Sequence, residues 1–537
     1  MTLLHHHKTQ VAVLMLLLCM GFLLFFYKVG DRDLWAPDED EYAQMSREMI
    51  RDGHWLFPTV NGQPWAIKPV LYNWLIAAVS LPQGDVNEFD ARIFSALAAL
   101  GTFLLTFYLG RAMFTPQAGF LGATALGTSI LFLKFARWSQ TYMLSTFFAM
   151  LALFLFYRGY RSEDKRTVSY LMMYAAIGLG VLTMGPVNLV MPGLVIFIYL
   201  LVMKDWRHIR HLRPGWGILI FLAITAPWYV AVSLQEGYGF DLLIKTNISR
   251  YFNTWTHEQP FYYYLINLPW AFAPWSLFLP GALHLAFSRR SQNDRQSIRF
   301  LLIWAIGLLV FFSLSQAKRN EYILGLYPAL ALLVGYWGDK AIQFRSEKYY
   351  RKWLIVPSLI FLGFMVLATI ALPVATGIFF KEWFWAALGV SVVTGICAVM
   401  LWLAWRRSQA RRLLYLPAAF VLVFTLFAVH VLIPKMENYK SPRPFCEQIS
   451  ARLAKGGQWA MYKLYRAAYV YYTDSFCKVL EDENQLQAFL DQPTLSLVAM
   501  REKQYTRLSD ALKAKTRLVF KDRIGHRAMV LISNRAE

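Results

Sequence analysis

The chain has 537 residues, of which 57% are hydrophobic and only 16% are charged, and its formal net charge is +21. A soluble protein could not cover so much apolar area with so little polar surface. The composition therefore excludes an ordinary soluble enzyme and predicts an α-helical polytopic membrane protein.

Long apolar runs recur along most of the chain. Runs of about 17–25 residues can cross a bilayer as helices, and they predict about thirteen transmembrane helices. The first run is longer than the apolar region of a typical signal peptide and lacks a small-residue cleavage site, so we expect an uncleaved helix. Segment 70–82 is apolar but too short to cross. The predicted spans lie near 10–28, 91–110, 117–133, 141–157, 170–183, 187–203, 215–234, 263–287, 298–315, 321–339, 353–373, 383–405 and 413–433.

The loops between the runs alternate in charge. Lys and Arg concentrate in every second loop, which identifies those loops as cytoplasmic. We therefore expect the N-terminus inside and, with an odd number of helices, the tail outside. The basic loops are 158–166, 204–213, 289–299, 340–352 and 406–412. The outer loops are about 30–90, 134–140, 235–262, 316–321 and 374–382.

The tail changes to mixed polar sequence and predicts a soluble α/β domain over 434–537, after a transmembrane domain over 1–433 with a first outer loop at 30–90. Segments 495–500 and 528–533 resemble strands, and 504–515 resembles a helix. Cys446 and Cys477 both lie in this tail. In an oxidising compartment they could form a disulfide, although either could instead be a buried thiol.

Four consecutive acids, Asp38 to Glu41, follow the first apolar run. Asp38 as N-cap with Glu41 three residues later is a capping-box pattern at a helix start. Capping uses only two of the four acids. Carboxylates at a membrane surface often handle a proton, a cation or a sugar, so we expect at least one of them to be catalytic.

Cations and aromatic residues occur in three further outer segments. Lys68 precedes a proline, Arg250 and His257 lie in the long loop, and Lys318 and Arg319 precede a predicted span. Snorkelling of long cations at helix ends is the purely structural alternative. Snorkelling explains these residues less well, because they lie in the outer loops, which are otherwise poor in Lys and Arg. Together with the acids they could hold a lipid phosphate and stabilise departing negative charge.

The order of short motifs along the chain resembles the aminoarabinose transferase (ArnT) branch of the polyprenyl-phosphate-sugar glycosyltransferases, which is related to the protein O-mannosyltransferases. The similarity continues through the membrane portion to Ser441-Pro442-Arg443-Pro444. The motifs in the first outer loop are Asp38-Glu39, Tyr42-Ala43, Arg47-Glu48-Met49, Gly53-His54-Trp55, Asn61-Gly62 and Lys68-Pro69.

The resemblance implies a GT-C glycosyltransferase that takes a sugar from an undecaprenyl-phosphate-type donor at the periplasmic face of the bacterial inner membrane and inverts the anomeric centre. It implies that Asp38 and Glu39 are catalytic. It also implies that a set of cations and aromatic residues binds the donor and its phosphate. That set is Lys68, Arg250, Tyr42, Tyr322, Lys318, Arg319 and His257.

Several positions depart from the family pattern. Glu41 stands where the family has Arg, Ile67 replaces an acid before Lys-Pro, and Met184 replaces a Lys before Gly-Pro-Val. Thr141-Tyr142 replaces a Pro-Asp. The residue at 67 weakens the case for a family metal site. We therefore assign no metal ligand, and a divalent cation near Asp38 stays open.

The expected partners are the donor, membrane lipids and an envelope acceptor, for which we favour lipid A of lipopolysaccharide; we expect a monomer, no nucleotide and no nucleic acid. A protein hydroxyl is the alternative acceptor. A lipid or glycan transporter is the alternative class, but such proteins tend to have repeated halves with polar residues at the membrane midplane. This chain has no convincing repeat, and a scaffold would not need the acidic run.

Overall fold

The computed structural model describes residues 2–65, 68–235, 258–454 and 456–535, with the side chains of 2–9 left aside. The chain forms two compact units. The first comprises Met1–Lys28, Ile67–Tyr72 and Ile93–Val431, and the second comprises Val29–Ala66, Asn73–Arg92 and Leu432–Glu537. Two segments of the first outer loop, Val29–Ala66 and Asn73–Arg92, therefore belong to the same unit as the tail. The domains predicted from the sequence, 1–433 and 434–537, assign these segments to the transmembrane domain.

The described α-helices, numbered along the chain, are α1 Thr2–Gly21, α2 Glu39–Arg51, α3 Leu71–Ser80, α4 Glu88–Met113, α5 Pro116–Gly127, α6 Ile130–Ala136, α7 Thr141–Arg161, α8 Arg166–Met184, α9 Val187–Val202, α10 His208–His211, α11 Pro214–Leu234, α12 Tyr263–Ala271, α13 Leu279–Phe287, α14 Arg295–Leu314, α15 Tyr327–Gln343, α16 Lys348–Phe379, α17 Phe384–Arg406, α18 Ala410–Phe427, α19 Ile433–Lys440, α20 Arg443–Leu453, α21 Ala467–Thr473, α22 Glu483–Leu490, α23 Glu502–Thr506 and α24 Asp510–Ala514. The strands are β1 Thr59–Val60, β2 Gln63–Pro64, β3 Gln458–Tyr462, β4 Lys478–Leu480, β5 Ser496–Arg501, β6 Arg517–Ile524 and β7 Arg527–Ser533.

The first unit is a bundle of apolar helices. Among the described residues, eight helices are long and apolar enough to cross a membrane, and the bent pair α5 and α6 is a ninth candidate. Shorter apolar helices cover Gln10–Phe26, Val187–Val202 and Trp275–Phe287. The polytopic helical fold is confirmed, whereas the count of thirteen spans stays a prediction.

Glycines let the helices of this bundle approach closely. A Cβ atom on Gly110 of α4 would lie 2.6 Å from the Cα of Gly119 in α5. A Cβ on Gly335 of α15 would lie 2.4 Å from the carbonyl oxygen of Ala118 in α5. Small residues of this kind are how helices in a bilayer gain packing contacts where the hydrophobic effect gives no preference for burial.

The tail folds around a five-stranded sheet in the order β4-β3-β5-β7-β6, in which β4, β3 and β5 are parallel and β6 and β7 pair antiparallel. Both faces of the sheet are covered. Trp459, Met461 and Leu497 face α20 and α21 in one core, and Tyr462 and Val498 face α22 in the other. Burial on both faces explains why β5 is a continuous apolar run.

The sequence prediction for the tail is largely confirmed. The segments 495–500 and 528–533 are β5 and β7. The predicted helix 504–515 is instead two short helices, α23 and α24, with Leu508 buried in the core between them.

The suggested disulfide between Cys446 and Cys477 is wrong, because both cysteines are free thiols. Cys446 on α20 is fully buried in the core beneath the sheet. The backbone of Cys477 is held by the side chain of Asn61, with 2.9 Å for the bond that Cys477 donates and 2.9 Å for the bond that its carbonyl accepts. Core packing therefore fixes the position of Cys446, and hydrogen bonds to the Asn61 side chain fix that of Cys477.

Burial raises the pKa of the Cys477 thiol to about 12 and that of Cys446 well above its ordinary value. Because the thiolate is the reactive form, both should resist alkylation in the native protein. After denaturation without reductant, intact-mass analysis should find all four cysteines of the chain alkylated. Two alkylated cysteines would contradict the structure and restore the disulfide.

Candidate active site

The acidic run begins α2 and is divided by burial. Glu39 and Asp40 are buried, whereas Asp38 and Glu41 are half-buried. Asp38 occupies the N-cap position as predicted, but its side chain makes no capping hydrogen bond, so the predicted capping box is wrong. The reason is the backbone, because Asp38 has φ 86° and ψ −47° and does not adopt the extended conformation of an ordinary N-cap.

The Asp38 conformation is itself a site feature. A non-glycine residue with positive φ outside the left-handed helical region is strained, at a cost on the order of 1–3 kcal/mol. Such residues cluster at active sites, where the surrounding structure holds them. The strain favours a functional role for Asp38 over a capping role.

Glu39 is held by two arginines. Arg32 donates to both carboxylate oxygens, at 2.6 and 2.8 Å, and Arg92 donates to both at 2.9 and 3.3 Å. Arg92 also donates to the carbonyls of Val29, Arg32 and Asp33. The Arg92 and Glu39 side chains have no solvent exposure. The first outer segment is thus tied to the start of α4 through one buried carboxylate.

Burial opposes the ionisation of Glu39, yet the charges of Arg32 and Arg92 outweigh it and lower its pKa to about 2. A carboxylate that ionises so readily and has no access to solvent is poorly suited to exchange a proton with a substrate. The geometry favours Glu39 as a positioning residue for Asp38, which directly precedes it.

Asp40 has the opposite electrostatics. Burial raises its pKa to about 6, against the lowering effect of the hydrogen bond from the backbone N–H of Ala468, which is 2.9 Å long. Its second carboxylate oxygen is buried and has no hydrogen-bond partner within the described residues. Two neighbouring acids of α2 therefore differ sharply in charge at mildly acidic pH.

In the first unit, Lys68 is held by the two residues that begin α7. Its Nζ donates to the Thr141 hydroxyl at 3.0 Å and lies 4.3 Å from the ring centroid of Tyr142. Arg319 approaches the same ring, with Cζ 5.9 Å from the centroid. We call Lys68, Tyr142, Arg319 and Tyr322 the cation–aromatic cluster. The negative face of an aromatic ring attracts cations, so Tyr142 helps to hold two of them close together.

Tyr322 completes this cluster, because its ring centroid lies 6.0 Å from that of Tyr142 and 6.2 Å from that of Phe312. Arg319 forms an ion pair with Glu321, and its carbonyl accepts a hydrogen bond of 3.2 Å from the Tyr264 hydroxyl. Lys318 differs in that its buried Nζ donates to the carbonyls of Gln259 and Ser315. Lys318 therefore fixes the local backbone.

The structure brings together only part of the predicted site. Lys68, Arg319 and Tyr322 meet in the cation–aromatic cluster of the first unit. Asp38, Glu39 and Tyr42 lie in the second unit, where the Tyr42 carbonyl accepts hydrogen bonds from Ser46 and Asn73. Arg250 and His257 lie outside the described residues.

Comparison with known proteins supports one family. Residues 67–230 match the model of the dolichyl-phosphate-mannose-protein mannosyltransferases. The undecaprenyl phosphate-alpha-4-amino-4-deoxy-L-arabinose arabinosyl transferase of Pectobacterium atrosepticum is 29% identical over 73% of this chain and 70% of its own. An uncharacterized protein of Aquifex aeolicus is 28% identical over 81% of each chain. The crystal structure of ArnT from Cupriavidus metallidurans bound to undecaprenyl phosphate superposes with a TM-score of 0.81 at 22% identity, over 97% of this chain and 98% of that one.

The chain is an ArnT-like glycosyltransferase. The structural match extends over nearly the whole length, so the helical bundle and the tail both share the GT-C architecture of ArnT. The family expected from the motifs is confirmed.

Two residues that contact Lys68 were missed as site residues. Thr141 and Tyr142 stand where the ArnT pattern has Pro-Asp, and both contact Lys68. The difference from the family pattern at Thr141-Tyr142 could have identified them, because a change of residue type at the start of a helix changes what a neighbouring cation can contact. In this ArnT-like chain a hydroxyl and a ring contact the Lys68 ammonium.

A resident metal does not fit the described side chains. Within residues 2–65, 68–235, 258–454 and 456–535, no group of three or more His, Cys, Asp or Glu residues is arranged to hold a metal ion. In the acidic run, Glu39 is already engaged by two guanidiniums. We derive no step through a metal for this ArnT-like chain.

The contrast between Asp40 and Glu39 predicts opposite pH effects. A raised acid pKa contributes stability below the unfolded value, which is lost as the pH rises through about 6. Asp40→Asn should therefore stabilise the protein at pH 7, on the order of 2 kcal/mol, and have little effect near pH 4.

Glu39 has a lowered pKa, so its contribution is present above about pH 4.5 and lost only towards pH 2. Glu39→Gln leaves two buried guanidiniums without their counter-charge, and should destabilise by about 3–5 kcal/mol at pH 7. Thermal unfolding of the detergent-purified variants from pH 4 to pH 8 measures both effects. A parallel pH dependence of wild type and Asp40→Asn would contradict the assignment of Asp40.

Proposed function

We propose that this chain transfers a sugar from a polyprenyl (undecaprenyl) phosphate donor to lipid A of lipopolysaccharide on the periplasmic face of the inner membrane, with inversion at the anomeric carbon. The observation that carries the proposal is the cation–aromatic cluster within an ArnT-like fold. Two cations lie around one ring, and one of them is paired with Glu321; such a site suits the phosphate of a lipid-linked sugar.

The donor phosphate is the leaving group. The acceptor oxygen attacks the anomeric carbon, the bond from that carbon to the phosphate oxygen breaks, and the electron pair leaves with polyprenyl phosphate. Lys68, positioned by Thr141 and Tyr142, offsets the charge that develops on the departing phosphate. Tyr322 and Tyr42 border the donor, and Arg250 and His257 are proposed to assist from the long outer loop.

The task of Asp38 depends on the acceptor atom. A hydroxyl acceptor must lose a proton, and the half-buried carboxylate of Asp38 can take it as a general base. A phosphate acceptor is already an anion, so Asp38 would then orient the sugar or the acceptor. In both cases the Glu39 ion pair keeps the strained Asp38 backbone in position.

A protein hydroxyl is a second candidate acceptor. It is favoured by the match of residues 67–230 to the protein mannosyltransferase model. That match covers α3 to α11, and leaves out the acidic run and the tail. Two relatives that match over 73% and 80% of the chain carry the arabinosyl transferase name, which supports an acceptor other than a protein, and lipid A is our first choice.

Lys68 provides a direct test of the donor site. Lys68→Ala should raise the KM for the polyprenyl-phosphate sugar at least tenfold, and Lys68→Arg should retain part of the donor affinity because it keeps the charge. The matched control is Lys134→Ala, since the Lys134 ammonium also lies near aromatic rings, 5.0 Å from the Phe135 centroid, but outside the cluster. Equal donor dependence in Lys68→Ala and wild type would return Lys68 to a snorkelling role.

Asp38→Asn should abolish transfer while expression and membrane insertion persist, because the amide keeps the shape of the side chain but cannot act as a base or carry its charge. Lipid and glycan mass spectrometry of envelopes with wild-type and variant chains would identify the sugar and the acceptor together. Asp31→Asn, an exposed acid in the same segment, is the control. Near-wild-type transfer by purified Asp38→Asn would remove Asp38 from the mechanism.

The proposed orientation can be tested by cysteine labelling in a background without native cysteines. Arg210 lies in a basic loop and Gln316 in an outer loop, and both side chains are exposed. With an impermeant thiol reagent on intact cells whose outer membrane has been made permeable, Gln316→Cys should react and Arg210→Cys should not. The reverse pattern would overturn the periplasmic site.

A further inference from the structure

Three arginines converge at one edge of the sheet in the tail. Arg466 follows β3 and is the N-cap residue of α21, Arg501 is the last residue of β5, and Arg527 is the first residue of β7. We call them the arginine cluster. Because β3 and β5 are parallel, the first two lie at the carboxyl ends of neighbouring strands. This edge is where open α/β sheets most often bind ligands.

The strand register places two of the side chains on one face. Arg501 pairs with Met529 across β5 and β7, and Arg527 precedes Met529 by two residues. Side chains two residues apart point to the same face of a strand, so Arg527 and Arg501 are diagonal neighbours. Arg466 is also close, since burial and then the charges of Arg466 and Arg501 lower the pKa of Arg527.

Each arginine of the cluster is half-buried, and none forms an ion pair within the described residues. The Arg501 Nε atom is buried and has no hydrogen-bond partner there. Some cations of the tail are paired, as are Lys515 with Asp491 and Lys521 with Glu502, and others such as Arg517 are exposed to solvent, whereas the three arginines of the cluster are half-buried. Like charges held together without a counter-ion cost stability, so this arrangement is explained best by an anion that binds it.

Two acids lie near the cluster without neutralising it. Asp40 interacts electrostatically with Arg466, but its carboxylate accepts the Ala468 N–H and makes no ion pair with the arginine. Asp522 lies opposite Met529 on β6, and accepts the backbone N–H of Arg523. Each accepts a backbone hydrogen bond with one carboxylate oxygen, and neither forms an ion pair with the cluster in the described part of the chain.

We propose that Arg466, Arg501 and Arg527 bind a phosphate group of the acceptor lipid. Guanidinium groups match phosphate oxygens with paired hydrogen bonds, and three of them can surround one phosphate. The inference rests on the proposed function for its choice of lipid, since the donor phosphate is assigned to Lys68. It gives the tail a task, which is to hold the acceptor by a charged headgroup.

The test is direct binding to the full-length protein in nanodiscs of a neutral phospholipid. The probes are phosphorylated lipid A, the same lipid A after removal of its phosphates, and phosphatidylglycerol. Arg501→Gln and Arg527→Gln should each weaken binding of phosphorylated lipid A about tenfold and leave the dephosphorylated lipid unaffected. The control is Arg517→Gln, an exposed arginine at the other end of the sheet with no ion pair among the described residues, which should bind like wild type.

Arg501→Lys separates charge from folding, because it keeps the charge and should retain more affinity than Arg501→Gln. Undecaprenyl phosphate binding, measured on the same samples, checks the fold and the donor site. Unchanged lipid A affinity in both glutamine variants would overturn the proposal. So would equal losses for phosphorylated and dephosphorylated lipid A, or a matching loss for phosphatidylglycerol, which would mean a general membrane-lipid contact.

The failure of this inference is distinguishable from the failure of the proposed function. A wild-type protein that binds phosphorylated lipid A through the arginine cluster but transfers no sugar would defeat the transferase proposal and support the site. A protein that transfers sugar with the same acceptor KM in Arg501→Gln and wild type would defeat the site and support the transferase.

Discussion

In the second unit, one buried carboxylate holds the segment that precedes α2. Glu39 accepts from Arg32 and Arg92, and Arg92 in turn holds the carbonyls of three residues in the segment that precedes α2. A buried ion pair is a poor source of net stability, because desolvating the charges costs about as much as their attraction returns. Its value here is positional, because loss of Glu39 would leave two buried guanidiniums without their counter-charge.

This rigidity explains how the neighbouring residue can be strained. Asp38 directly precedes Glu39 and has a positive φ angle that an aspartate rarely adopts. Strain of this kind persists only where the surroundings define the backbone more strongly than the residue does. The acids of this run therefore have different tasks. Glu39 anchors the backbone, Asp40 is a buried acid of raised pKa, and Asp38 is a half-buried carboxylate that is suited to chemistry.

The groups that surround the cations differ between the two places where a phosphate is proposed to bind. In the cation–aromatic cluster, Tyr142 holds Lys68 and Arg319 near its ring, and Glu321 balances Arg319. In the arginine cluster, Arg501 and Arg527 lie on strands, Arg466 precedes α21, and none has an ion pair within the described residues. The first arrangement suits a leaving group whose charge develops during the reaction, and the second suits a headgroup that is charged throughout.

The sequence by itself determined the class of protein, the family and the strands β5 and β7, because apolar length, loop charge and local motif order are all properties of neighbouring residues. It also identified Asp38, Lys68, Arg319 and Tyr322 as candidates. It could not show that the capping box fails, that Cys446 and Cys477 stay apart, or that Glu39 is locked between Arg32 and Arg92. Those outcomes depend on contacts between residues that are 53 positions apart for Glu39 and Arg92 and 416 positions apart for Asn61 and Cys477, which only the tertiary structure brings together. The same holds for Tyr142 beside Lys68 and for the arginine cluster, since the distance between charges is set by packing and strand register and not by their spacing in the chain.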